Sequence, residues 1–554
     1  MRRRTPVRTL ALAAMLAVVA TACTPTGPPE PSPTPSPSST GDPAPTTAEP
    51  TEEPLAWGPT PTDVADAIGT AAAMTPEEVA GQVLLARYPG TDPAAAASTL
   101  SENHLAGLVL FSENVASVDQ VAATGDAVQA AQAAAGRDWP AIFAVDNEGG
   151  LVQRLGAEAG DWTSFPSFMS AGAADDPDIV AAAAQAMALE LRASGLNYDF
   201  APDADVTVGL ADVTIGLRSA SSDPDRAARA VVAATQGFTA GGVVSSVKHF
   251  PGHGSLTVDS HQGLPVQDAS AEELAARDLV PFAQAIDAGT PTVMLGHIAV
   301  EAWDPSLPAS LSPEAYRVLR EDLGFTGVAI TDGLDMGALT QTWDSAQIAV
   351  MALQAGADLL LGPTDVPAAH AGIVAALADG SLSRERVDEA AGRVIALMRW
   401  QAAIAAAGRP VTTAEVGSAA PASLALSAAA ITQVAGECGG ALVGQSIHAR
   451  GGSTADWDAF VAAAEAAGLD VVPLEQPADS EVRLLTGATP SGSADVAIVL
   501  DEPWLLTETD APVRLATYGR TAQAFAAVAA VLTGAAPAPG SLPVEVSDLP
   551  ATVC

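Results

Sequence analysis

From Val64 onward the chain alternates between short apolar runs and longer Ala-rich segments of helical period. The runs are GQVLLARY, AGLVLFSEN, AIFAVDNEGG, LNYDFAPDADV, VVSSVKHF, PTVMLGHI, FTGVAITDG and GADLLLGP. A run that is apolar without strict alternation predicts a strand buried on both faces, and a helical segment after each strand predicts a parallel sheet. Eight such units predict an α/β fold, a (β/α)8 TIM-type barrel over residues 61–405, with its chemistry at the carboxyl ends of the strands. After a low-information bridge at 406–420, GGALVGQ, GLDVVPL, ADVAIVLDEP and VRLATYG read as strands and TAQAFAAVAAVLTG as a helix. They predict a smaller α/β sandwich domain over 421–554.

Polar residues gather where a barrel would need them. Asp146 and Glu148 follow AIFAV, Asp203 follows NYDFAP, Lys248 and His249 end the fifth run, His297 ends the sixth, and Asp332 follows GVAIT. Any one aspartate could simply cap the next helix. The whole set, repeated at one end of the strands, points to a site. Pro251, Gly252 and Gly254 then break any helix, so His253, Asp259 and His261 ride on a loop over the barrel mouth. Asp259 and His261 lie two residues apart, on one side of an extended backbone, where the carboxylate orients the imidazole and raises its basicity. That is the pattern of an acid/base dyad. Competing readings are ordinary structural histidines and a metal site from His249, His253, Asp259 and His261, although the Pro-Gly break spoils the i, i+4 spacing of zinc helices. No G-x-S-x-G elbow supports a serine hydrolase.

Charge narrows the partners. The 554 residues carry 24 basic and 65 acidic side chains, a formal −41 that repels phosphate backbones, so nucleic acid is excluded as a partner. The acids are dispersed, which suits a solvated surface. At the N-terminus, MRRRTPVR is a basic leader, TLALAAMLAVVA an apolar run too short to span a bilayer comfortably, and TAC places small residues before Cys23. This resembles the lipobox of bacterial lipoproteins, with Ala20 where many have Leu, and implies lipidation at Cys23. Ordinary secretion is the alternative. Residues 24–60, rich in Pro, Thr and Ser, predict a disordered tether. Outside the cell the two remaining cysteines, Cys438 and Cys554, form an even pair that could close a disulfide or stay as free thiols.

A family resemblance adds to this reading. VKHFPGHGSLTVDSHQGLP, with AVDNEGGLVQRL before it and GFTGVAITDGLDMGAL after it, resembles glycoside hydrolase family 3, in its β-N-acetylglucosaminidase branch. GLVLFSEN, NYDFAPDADV, IGLRSASSDP, VMLGHI and PASLSP follow in family order. The resemblance implies a retaining mechanism with Asp332 as nucleophile, His261 as acid/base and Asp259 as its partner. It further implies that Asp146, Arg154, Arg218, Lys248 and His249 bind a sugar carrying N-acetylglucosamine, with no metal and no organic cofactor. Asn147 and Leu151 depart from the family's usual Gln and Arg. The expected protein is a monomer, held to the membrane only by lipid and acting outside the cytoplasm on cell-wall (peptidoglycan) or short chitin-type fragments. Two alternatives stay open: phosphorolysis at the same site, since a neutral histidine does not repel phosphate, and an inactive carbohydrate-binding lipoprotein.

Overall fold

The computed structural model describes residues 52–487 and 493–554; the leader, Cys23 and the tether as far as residue 51 lie outside the described residues. The eight predicted runs form the eight strands of one parallel barrel. They are β1 (Leu84–Arg87), β2 (Gly107–Leu110), β3 (Ile142–Val145), β4 (Tyr198–Asp199), β5 (Val244–Phe250), β6 (Thr292–Leu295), β7 (Val328–Thr331) and β8 (Leu360–Leu361). Each strand from β1 to β6 pairs in parallel with the next in sequence, and β8 pairs with β1, Leu360 opposite Leu84. A parallel bridge from Ile330 to Leu359 links the ends of the circle. Strands enclosed by helices outside and side chains inside have no wet face, which is why the runs are mostly apolar, with Lys248 and His249 of β5 at its cleft end.

Several helices start on acidic residues. Asp92, Asp176 and Asp223 each precede a proline, and each carboxylate accepts a first-turn N–H of the helix that follows, Pro93–Glu102, Pro177–Ala193 and Pro224–Gly241. Proline at the first position costs nothing, because its missing N–H would have had no helical partner. Small residues set how near the helices approach. A Cβ on Gly237 would lie 2.3 Å from the Ala181 carbonyl oxygen.

Two expectations change here. Trp57 is 2% exposed and belongs to the barrel core, so the packed chain begins inside the segment expected to be a tether. A single aromatic residue is invisible in a window dominated by Pro and Thr. In the C-terminal domain a six-stranded sheet runs in the order β9, β14, β13, β12, β10, β11. These are β9 (Thr432–Ala435), β10 (Ser446–Gly451), β11 (Asp470–Val471), β12 (Ser480–Leu485), β13 (Val496–Val499) and β14 (Val513–Ala516). Only β9 is antiparallel to its neighbour. GGALVGQ is a turn leading to β10, with Gly439 at φ 82° and Gly440 at φ 75°, and β9 and β12 were not among the expected strands. The residues of β10 alternate polar and apolar, as a half-exposed strand does, and so hide from a search for continuous apolar runs.

The C-terminal domain has its own core, including Ile447, Phe460, Val482, Ile498 and Phe525. It also grips the barrel. Ser167 donates its backbone N–H (3.1 Å) and its hydroxyl (2.7 Å) to the Tyr518 carbonyl, and Glu190 accepts the Ala419 N–H at 2.8 Å. Cys438 and Cys554 are joined by a disulfide, their Cα atoms 5.4 Å apart. No helix among the described residues is long and apolar enough to cross a membrane.

Candidate active site

A cleft at the carboxyl ends of the barrel strands gathers Asp146, Arg154, Arg218, Lys248, His249, His261 and Asp332. Beneath it lies a floor of buried charges. Lys248, 2% exposed, donates to Asp146 Oδ1 at 2.9 Å and pairs with Glu148 Oε1 at 2.6 Å. The Arg218 guanidinium grips Glu148 with two parallel bonds of 2.8 Å, the geometry in which arginine holds a carboxylate most firmly. Its Nη2 lies 3.3 Å from His249 Nε2 and 3.6 Å from Asp203 Oδ2. On the other side of the ring, His249 Nδ1 meets Asp205 Oδ2 at 2.8 Å.

Electrostatics follows from this pairing. Burial would raise the Glu148 carboxyl, but Arg218 and Lys248 hold it down to about 2. Burial would likewise lower Lys248, and Asp146 and Glu148 push it well above the ordinary lysine range. Asp203 and Asp205 divide one task. Burial and the neighbouring Asp205 charge push Asp203 far up, whereas His249 and His253 keep Asp205 ionised against its own burial. The floor is thus a fixed set of donors and acceptors, already oriented before any ligand arrives.

Asp332 follows β7 directly. Its N–H bonds the Leu295 carbonyl, and its Oδ1 accepts the Gly333 N–H at 2.7 Å. Burial favours the protonated acid, but His249, His297, the Gly333 N–H and Lys248 together hold the carboxyl below the usual carboxylate range. It is therefore an ionised carboxylate, half-buried in the cleft wall. His297 lies behind it, fully buried between the Ser310 hydroxyl (2.7 Å) and the Gly333 carbonyl (2.8 Å), so it supports the turn after Asp332. Asp335 sits further along that turn, paired at 2.7 Å with Arg87, which also lies 4.0 Å over the Phe111 ring.

The dyad is a different environment. Asp259 Oδ1 meets both the His261 backbone N–H (2.9 Å) and Nδ1 (2.8 Å), which leaves Nε2 unengaged by the carboxylate. The His261 side chain is 71% exposed and that of Asp259 is 36% exposed. Asp259 is nonetheless held below the ordinary carboxylate range: burial, which raises it, is outweighed by its bonds to His261. The loop is pinned beside the Asp332 turn, through Ala338 N–H to the Ser260 carbonyl (3.1 Å) and Gln341 Nε2 to the Gln262 carbonyl (2.8 Å).

The structure places the remaining expected residues less evenly. Arg154 reaches the cleft, its backbone N–H bonded to the Asp146 carbonyl at 3.2 Å, while its buried Nε meets no partner among the described residues. Asn147 is buried and accepts the Leu155 N–H at 3.0 Å, whereas Leu151 is 71% exposed. Asp205 was missed from the sequence. The signal was the pair of acids two residues apart in APDADV, just beyond the carboxyl end of β4. Asp203, Asp205 and His249 offer ligand atoms within 4.8 Å of one another, the one metal-like cluster among the described residues. Arg218 and Lys248 already bring positive charge to these acids, so the donor set does not fit a cation.

Known proteins bear on this geometry. The chain is 32% identical over 395 residues to "Beta-hexosaminidase LpqI" of Mycobacterium tuberculosis, covering 70% of this chain and 96% of that protein. It is 34% identical over 323 residues to "Beta-hexosaminidase A" of Pseudoalteromonas piscicida; there the match spans 52% of this chain and only about half, 54%, of the relative. Among solved structures, a glycoside hydrolase family 3 beta-N-acetylglucosaminidase from Paenibacillus sp. superposes with a TM-score of 0.75 at 28% identity, over 87% of this chain and 100% of that one. Residues 76–397 match the glycosyl hydrolase family 3 N terminal domain, the stretch that holds the barrel and every cleft residue described above, and the chain belongs to that family of glycosidases.

Proposed function

We propose that this glycosidase releases terminal β-linked N-acetylglucosamine with retention of configuration, through a covalent glycosyl ester on Asp332. The observation that carries the reading is the meeting in one cleft of a half-buried, ionised Asp332 with a histidine whose Nδ1 is engaged by Asp259 and whose Nε2 is left for substrate. In the first step an Asp332 oxygen attacks the anomeric carbon, the bond to the leaving oxygen breaks, and imidazolium His261 passes its Nε2 proton to that oxygen. In the second, the now neutral ring takes a proton from water, whose oxygen attacks the same carbon and frees Asp332. Most retaining glycosidases use two carboxylates for this work. Here one imidazole, oriented by Asp259, serves both halves. The names of the hexosaminidase relatives support the sugar.

The proposed setting is the outer face of the cytoplasmic membrane, with Cys23 lipidated and the enzyme acting as a monomer on peptidoglycan or short chitin-type fragments. The leader and Cys23 support the location, and the low aromatic content, 4%, supports short substrates, since few rings are present to stack along a polymer.

An aryl glycoside panel tests the activity. The β-N-acetylglucosaminide should turn over faster than the matched β-glucoside, with free sugar as product at any phosphate concentration. Sugar 1-phosphate appearing with added phosphate would make the protein a phosphorylase, a reading favoured by the exposed imidazole where a carboxylate would repel the anion. Release of no sugar from any member would leave a binding protein.

A further inference from the structure

One imidazole in the cleft has nothing to bond. His253 is 3% exposed, lines the cleft beside Lys248, His249 and Asp332, and neither ring nitrogen meets a hydrogen-bond partner among the described residues. Its backbone, in contrast, is fixed. The N–H donates to Asp205 Oδ1 at 2.5 Å and the carbonyl accepts the Leu256 N–H at 3.1 Å. The flanking glycines are pressed against other segments: Gly252 has φ +128°, and a Cβ there would lie 2.8 Å from Asp278 Cβ, while one on Gly254 would lie 2.4 Å from the Val206 carbonyl oxygen. A loop held this tightly aims the ring. Burial keeps the imidazole below its ordinary range, so it is neutral, with one N–H to donate and one nitrogen to accept. A buried polar group without a partner is costly unless something supplies the bond. In a cleft open to ligand, that something is the ligand.

We propose that His253 donates a ring N–H to the carbonyl oxygen of the sugar's 2-acetamido group, and so selects N-acetylhexosamines over plain hexoses. The inference rests on the covalent reading of Asp332 above. His253 lines the same cleft as Asp332, the side of the sugar where the anomeric carbon must sit. The acetamido group is borne by the next carbon of the sugar. The ionised floor, Lys248 with Asp146 and Glu148, suits hydroxyls, which both donate and accept; an amide oxygen only accepts and takes a neutral donor well. There is also a chemical reason to hold that oxygen. An acetamido carbonyl is itself a nucleophile that can close on the anomeric carbon, and a donor that turns it aside leaves the carbon to Asp332.

The test is kcat and KM for the wild type, His253→Ala and His253→Asn on an aryl β-N-acetylglucosaminide and the β-glucoside with the same aglycone. His253→Ala should lose about 10- to 100-fold in kcat/KM on the acetamido sugar and less than about threefold on the glucoside, because only the first loses a hydrogen bond. His253→Asn, which keeps a donor, should recover most of the difference. Equal losses on both sugars, or no loss on the acetamido sugar, would overturn the proposal. If the wild type cleaves neither sugar, the covalent reading fails, and calorimetry with free N-acetylglucosamine and glucose still decides the contact: the wild type should prefer the former and His253→Ala should not. Thermal melting establishes that each variant is folded, and His253→Gln replaces any variant that is not.

Discussion

The floor of the cleft and the loop above it use the same kinds of side chain in opposite states. Lys248, Glu148 and Arg218 are buried and bonded on several sides, so their positions are settled by the fold. His261 and Asp259 bond chiefly to each other, and His261 stands largely in solvent. Groups that recognise a fixed sugar gain from being locked, because no ordering cost is left to binding. A group that must give up a proton and later take one back gains from remaining accessible to both leaving group and water.

Four experiments can break or sharpen that contrast. The largest effect is expected at the carboxylate between the two regions: Asp332→Asn should lower turnover about 10⁶-fold on every aryl glycoside, the scale seen when a nucleophile is removed. A loss that varies with the leaving group would move the nucleophile elsewhere. Next comes the floor. Lys248→Met leaves Asp146 and Glu148 short of a buried counter-charge and should cost about 3 kcal/mol in urea unfolding, whereas His261→Ala should leave the unfolding midpoint unchanged. Similar midpoints for the two variants would erase the distinction between a structural floor and an exposed dyad.

The loop is then tested by chemistry. His261→Ala should slow hydrolysis about 100-fold on aglycones that are poor leaving groups and far less on those that depart without a proton. Uniform loss across the series would remove His261 from the acid role. Smallest is the response to acid. Glu148, held at about 2 against 4.5 in the unfolded chain, contributes stability that is complete above about pH 4.5 and lost as the pH falls toward about 2. Melting temperature should therefore decline across that window in the wild type and decline less steeply in Glu148→Gln. Parallel curves would assign the acid response to other carboxylates, of which Asp358, also held at about 2 by Arg393, Arg320 and Arg386, is the first candidate.

Much of the barrel could be read from the sequence, since strands buried on both faces are mostly apolar, with residues such as Lys248 and His249 at the ends that form the cleft. The strands of the C-terminal domain were less legible. In β10, Ser446, His448 and Arg450 interleave with Ile447 and Ala449, and the domain's sheet emerges only when its faces are packed. Within the site, residues flanked by glycines or closing a strand stood out, as Lys248, His249 and Asp332 did. Asp205 did not, because its work is done inside the protein, on His249 and on the backbone of His253, and its two-residue spacing from Asp203 is shared by many surface acids.

Sequence alone determined the alternation of buried strands and Ala-rich helices, the one end at which polar groups collect, and the adjacency of Asp259 and His261, because each depends on neighbours within a few residues. Tertiary structure decided which acids are ionised, which imidazole is left without a partner, and which charges are sealed beneath the cleft. Those properties depend on burial and on charges brought together from strands as much as a hundred positions apart, as with Lys248 and Asp146, 102 residues apart, and a linear pattern cannot carry that information.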